Sequence, residues 1–192
     1  MILTKSKESN PLRKVDKKIE NLPTLIDREV FPGFQGGPHM NNTLAKAVAL
    51  KEASTPEFKK YAKQVIVNAK VLAEEMMNRG FKLITNGTDN HLILADIYSS
   101  HGIDGKEAEE RLDKIGLTLN KNAIPNDTLP PFKPSGIRLG TPAMTTRGMG
   151  ERDMEQIAIW MEAAMKADDT KLNSLKKEVE EFAKQFPLPS ET

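Results

Sequence analysis

Phe81-Lys82-Leu83-Ile84 and His91-Leu92-Ile93-Leu94-Ala95-Asp96-Ile97 are two apolar runs held apart by Thr85-Asn86-Gly87-Thr88-Asp89-Asn90, whose Asn-Gly pair is a strong turn signal. They read as two strands joined by a turn. Upstream, Ser54-Thr55-Pro56-Glu57 is a capping signal with proline near the first turn. It opens a helix in which Val65, Ala69, Leu72, Ala73 and Met76 recur at helical spacing as far as Arg79-Gly80, where glycine makes a natural C-terminal cap. Met76 and Met77 read as core filler, since thioethers adapt to irregular gaps. Downstream, Asp104 caps a helix to about Ile115, with Glu107 three residues on completing a capping box. Leu117-Thr118-Leu119-Asn120 reads as a third strand and Gly136-Ile137-Arg138-Leu139-Gly140-Thr141 as a fourth, across a proline-rich segment at 125–134. Two helices close the chain, one striped by Met154, Ile157, Ala158, Met161, Ala164 and Met165, the other by Leu172, Leu175, Val179, Phe182 and Phe186. Strands alternating with capped helices predict a two-layer α/β domain, one helical layer over a small sheet, spanning residues 55–192.

The chain before that domain has a different texture. Met1-Ile2-Leu3-Thr4 reads as a short buried strand with no local partner. Residues 5–20 carry an excess of three positive charges, which a solvated face explains, since no aromatic residues interleave them as nucleic-acid binding would ask. Val30-Phe31-Pro32-Gly33-Phe34-Gln35-Gly36-Gly37-Pro38-His39 holds three glycines and two prolines, so neither helix nor strand persists and a structured loop is expected. A helix follows over 42–53.

Composition narrows the chemistry. The 192 residues hold 28 Lys plus Arg against 27 Asp plus Glu, a net charge of +1, so no global field draws the chain to nucleic acid or an anionic membrane. The absence of cysteine excludes disulfides, Cys-based zinc sites and thiol nucleophiles, and fits a reducing compartment such as the cytoplasm. No run approaches the roughly 18 apolar residues of a membrane span.

Two features point to ligands. The Gln35-Gly36-Gly37-Pro38 loop precedes a helix, where backbone N–H groups free of side chains can converge on an anion; an ordinary turn explains the same residues. On the fourth strand, alternation sends Ile137 and Leu139 to the core and Arg138 to the opposite face, with Gly136 and Gly140 expected to leave open space in which a carboxylate meets the guanidinium bidentately. The alternative is an Arg paired with an acid on a neighbouring strand. His39, His91 and His101 lie on separate segments without ligand spacing, so no metal site is expected.

Five segments in order give a resemblance to the serine hydroxymethyltransferase family. They are residues 30–38, Ala45-Lys46-Ala47-Val48-Ala49-Leu50-Lys51-Glu52-Ala53, Gly87-Thr88-Asp89-Asn90-His91-Leu92, Asn120-Lys121-Asn122 with Ile124-Pro125, and Ser135-Gly136-Ile137-Arg138-Leu139-Gly140-Thr141-Pro142-Ala143 with Thr145-Thr146-Arg147-Gly148. The resemblance implies the small C-terminal domain of a fold-type I pyridoxal-phosphate enzyme, with residues 1–54 a remnant of the large cofactor-binding domain. It further implies a cytoplasmic homodimer of one-carbon metabolism and glycine biosynthesis, in which pyridoxal 5'-phosphate is the electron sink for cleaving serine between Cα and Cβ and tetrahydrofolate takes the one-carbon unit. By resemblance, Arg138 holds the amino-acid carboxylate, and Gly36 and Gly37, reaching in from a neighbouring subunit, contact the cofactor phosphate. Asn122, Pro130, Pro131 and Phe132 take folate-contacting positions, although many members have Ser where Pro130 stands. The family's cofactor lysine sits in a Thr-Thr-His-Lys-Thr motif upstream of the strand matched by Met1-Ile2-Leu3-Thr4-Lys5, and this sequence has no such motif. No catalytic residue is therefore assigned within the chain. It is expected to act only when joined to the part bearing that lysine, or else to be a non-catalytic module.

Overall fold

A computed structural model describes residues 22–188; the strand expected at residues 1–4 lies outside them. The chain divides into two units, Met1–Ala53 and Ser54–Thr192. In the first, α1 (Leu22–Arg28) runs into one wide helical turn, Glu29–Phe34, whose dihedrals break at Phe31 and Pro32. The glycine- and proline-rich stretch thus begins as a helical turn broken at its own Phe31 and Pro32, and becomes loop at residues 35–39. Helix α2 (Met40–Ala53) follows, and it buries none of its residues.

In the second unit α3 (Pro56–Asn78) starts as its sequence asks. The Thr55 side chain accepts the Phe58 N–H (3.2 Å), Pro56 takes the first turn, and Gly80 past the end has φ +86°, a conformation other residues adopt only at a cost. Its stripe from Val65 to Met76 is buried as expected. Four strands, β1 (Lys82–Leu83), β2 (Leu92–Asp96), β3 (Asn120–Asn122) and β4 (Gly136–Gly140), form an antiparallel sheet in the order β1-β2-β4-β3. Ile93, Ala95 and Ile137 are fully buried, packed in one core with the apolar stripes of α3, α5 (Gly105–Lys114), α7 (Glu151–Lys166) and α8 (Asp169–Ala183). This is the two-layer arrangement the alternation of elements predicts. Short helices α4 (Ile97–His101) and α6 (Pro142–Thr146) follow β2 and β4.

Two local expectations are corrected. The third strand is not at 117–120 but at Asn120–Asn122. Leu117 and Leu119 pack as irregular chain against the core, while Asn-Lys-Asn becomes strand through pairing with β4 and through Glu109 of α5, which accepts the Lys121 N–H (3.0 Å) and its ammonium. At α5, Asp104 accepts the Glu107 N–H (2.9 Å), but the Glu107 carboxylate turns to Arg111 instead of closing a capping box.

The end of β4 is pinned to α3. Fully buried Asn68 donates from Nδ2 to Thr145 Oγ1 and the Met149 carbonyl and accepts from Gln64 Nε2, each at 2.9 Å. Buried Thr141 donates to the Val65 carbonyl at 2.8 Å. Unmet, such groups would cost roughly 1–3 kcal/mol each, and among the described residues no buried side-chain polar atom lacks a partner.

Candidate functional site

Strand β4 lies between β2 and β3, so whatever its outward residues carry is flanked on both sides. Alternation puts Ile137 inward and Arg138 outward. Arg138 stands opposite Leu94 on one side and Asn120 on the other and is exposed, and its guanidinium makes no hydrogen bond or ion pair with any described residue. No acid faces it across either register, so the structural-pair alternative finds no partner among the described residues.

The glycines beside Arg138 serve a different end from the one expected. A Cβ on Gly136 would lie 2.6 Å from the Ala95 carbonyl oxygen, 2.7 Å from Ile124 Cγ2 and 3.0 Å from the Asn122 carbonyl oxygen, and one on Gly140 would lie 2.8 Å from the His91 carbonyl oxygen. Neighbouring backbone fills that space, so these glycines admit close strand packing rather than a ligand. The face around Arg138 is open because the helices pack on the other one. Gly105, at the start of α5, belongs to the same close approach: its N–H donates to the Pro134 carbonyl (2.7 Å), and a Cβ there would collide with the Gly136 carbonyl. Nothing in the residues around Asp104 signalled that contact.

Asn122 shares the outward face, opposite Gly136, and is half-buried, its Nδ2 donating to the Ala123 carbonyl (2.6 Å). Pro130, Pro131 and Phe132 are exposed on the 123–135 connection, Phe132 by 69%. The brace of that connection is Asp127, which sequence reasoning missed. Its carboxylate accepts the Ile124 N–H (3.2 Å), the Leu129 N–H (2.9 Å), the Ser135 N–H (3.0 Å) and the Ser135 hydroxyl (2.6 Å). Asp within a Pro-Asn-Asp turn is the signal that marks it, because short carboxylates bond nearby backbone in this way. Burial pushes the Asp127 carboxyl up, but the Ser135 hydroxyl and the three backbone donors together outweigh it and hold the group well below the usual carboxylate range.

That shift predicts a pH dependence. A depressed folded pKa contributes stability that is full above the unfolded value, roughly 3.9, and is lost as pH falls through that value toward the folded one. Asp127→Asn should therefore unfold about 1.5 kcal/mol more easily at neutral pH, the low end for bonds to a charged acceptor, and the deficit should shrink below about pH 4. Urea titrations at pH 7 and pH 3 check it; an equal deficit at both would contradict the role of the charge.

Gly36 and Gly37 belong to the other unit, in residues 35–39 just before α2. Nothing lies within 4 Å of the place where either would carry a Cβ, and neither N–H is engaged by a described residue. Two bare amides ahead of a helix start suit the oxygens of a phosphate. Of the other candidates, His101 packs its ring on Phe81 (4.4 Å) and shares a hydrogen bond with Ser100 (2.9 Å), a structural setting, while His39 and His91 lie on segments of their own. Among the described residues no cluster of His, Asp and Glu could hold a metal, and no helix is long and apolar enough to cross a membrane.

With the geometry in place, similarity to known proteins adds to it. The family model described as serine hydroxymethyltransferase matches residues 1–161. Curated relatives bearing the name serine hydroxymethyltransferase include those of Acidothermus cellulolyticus, 50% identical over 178 residues (88% of this chain, 42% of the relative), and Acidobacterium capsulatum, 52% identical over 165 residues (85% and 38%). That of Koribacter versatilis is 49% identical over 171 residues (88% and 40%). The chain thus spans about two-fifths of the length of the curated relatives it matches.

Proposed function

The chain belongs to the serine hydroxymethyltransferase family, and from that membership we propose that it forms the C-terminal domain and part of the cofactor region of a pyridoxal-phosphate enzyme. The reaction is the reversible transfer of a one-carbon unit from serine to tetrahydrofolate, giving glycine and 5,10-methylenetetrahydrofolate. The observation that carries this reading is Arg138, an unpaired guanidinium held on the open face of a rigid sheet. An unpaired Arg in a fixed frame is the arrangement that receives a carboxylate bidentately.

In this reading residues 55–192 are the small domain and residues 1–54 a remnant of the large one. Arg138 orients serine by its carboxylate, and Asn122 with Pro130, Pro131 and Phe132 borders the folate. The freely available N–H groups of Gly36 and Gly37 suit the phosphate of pyridoxal phosphate, offered across the interface of a cytoplasmic homodimer. When bound, that cofactor supplies the electron sink for breaking the Cα–Cβ bond. The chain's own residues bind and orient; the lysine that secures the cofactor is assigned to the portion of the relatives that this chain does not match.

Two measurements test the reading. Borohydride reduction of the chain with pyridoxal phosphate, followed by mass spectrometry, should leave no stoichiometric phosphopyridoxyl group on one specific lysine; finding one would contradict the division of labour. Joined to the unmatched N-terminal portion of a relative, the chain should form methylenetetrahydrofolate from serine, and an assembled but inactive complex would count against the proposal.

A further inference from the structure

On the covered side of β4, behind the strand that carries Arg138, lies a cavity of about 130 Å³. Leu119 and Leu139 line it from the sheet side, and Met144, Met149 and Met161 line it together with the rings of Trp160 and Phe182. Those two rings stand edge to face, 5.0 Å apart at 77°. The polar side chains at its wall are already committed elsewhere. Thr118 donates to Asp113 (3.2 Å), and the Arg147 guanidinium donates to the carbonyls of Phe186 (2.7 Å) and Ala183 (2.9 Å). The lining is mostly apolar and its two polar side chains spend bonds on protein partners, so an apolar guest would displace little tightly held water.

Its size decides what fits. An apolar cavity of roughly 150 Å³ holds a benzene molecule, and this one is comparable. Polarizable methionine sulfurs and ring edges favour an aromatic guest over an aliphatic one. The pocket is partly open at the surface, and residues 117–119 in its wall belong to no helix or strand and follow Gly116 at φ +87°. Displacing such a segment breaks no ladder of strand hydrogen bonds.

We propose that this cavity is a binding site for a compact, uncharged aromatic molecule of one ring, separate from the open face of Arg138 and independent of the role given to that residue. Trp160 is the single tryptophan of the chain and is only 5% exposed, so it reports occupancy directly. Iodobenzene, which quenches indole by its heavy atom, should quench Trp160 fluorescence saturably, with a dissociation constant on the order of 1 mM, as expected for so few atoms. Ala183→Leu, which adds three carbons to the wall, should abolish the saturable component while the thermal transition stays where it was or rises. A second measurement avoids any variant: in methyl spectra of methionine, benzene should shift Met144, Met149 and Met161 to saturation and leave Met40, 69% exposed on α2, unmoved. Purely collisional quenching of equal slope in both proteins, or shifts that grow linearly and alike at all four methionines, would overturn the proposal.

Discussion

Gly105→Ala is expected to destabilise the domain by about 3 kcal/mol or more. Local propensity argues the other way, because alanine in a helix is favoured over glycine by roughly 1 kcal/mol. The packing opposes it. The added carbon would collide with the Gly136 carbonyl and sit 2.9 Å from the Pro134 carbonyl oxygen, and these are backbone atoms that no rotamer change can move. Relief requires α5 to back away from β4, which would stretch the 2.7 Å bond from the Gly105 N–H to Pro134 and disturb a core that includes Ala108, Leu112 and Ile137. Because the two effects differ in sign, urea denaturation separates them: a stabilised variant would mean that α5 does not rest on β4 as described.

Arg138→Lys should weaken serine binding by more than tenfold in the enzyme assembled from this chain and the N-terminal portion of a relative. Lysine keeps the charge but loses the planar fork, and charge-assisted hydrogen bonds are worth roughly 1.5–3 kcal/mol, where about 1.4 kcal/mol is a factor of ten. Cofactor affinity should hardly change, since Gly36 and Gly37, and not Arg138, are assigned the phosphate. Calorimetry or the serine dependence of the rate would read this. An affinity within about twofold of the parent would remove Arg138 from the carboxylate role.

What the sequence made legible was whatever is encoded locally. Thr55-Pro56, Asp104 and Arg79-Gly80 marked helix ends because capping is a transaction among neighbouring residues, and alternation around Ile137 was enough to send Arg138 outward. Long-range contacts were not legible. Asn120-Lys121-Asn122 has no pattern of its own and is strand only because β4 and Glu109 engage it. The purpose of Gly136 and Gly140 was misread for the same reason: the backbone that crowds them comes from other strands and loops, 14 positions away at Asn122 and more than 40 at Ala95 and His91. Asp127 escaped because its partners are spread from Ile124 to Ser135. Gly36, Gly37, Asn122 and the 130–132 stretch were singled out by resemblance, and no rule of periodicity would have chosen them.

The grip of Glu109 on Lys121 has a consequence for how copies of the domain meet. An edge strand offers outward N–H groups on which a foreign strand can grow, the route to ribbons and fibres. In β3, pairing with β4 leaves the amide of Lys121 pointing away from the sheet, and a carboxylate on the domain's own helix has already taken it. At the far edge β1 is two residues long, too short to template much. The sheet is thus finished at both margins, and growth by strand addition is discouraged while the broad face around Arg138 stays available.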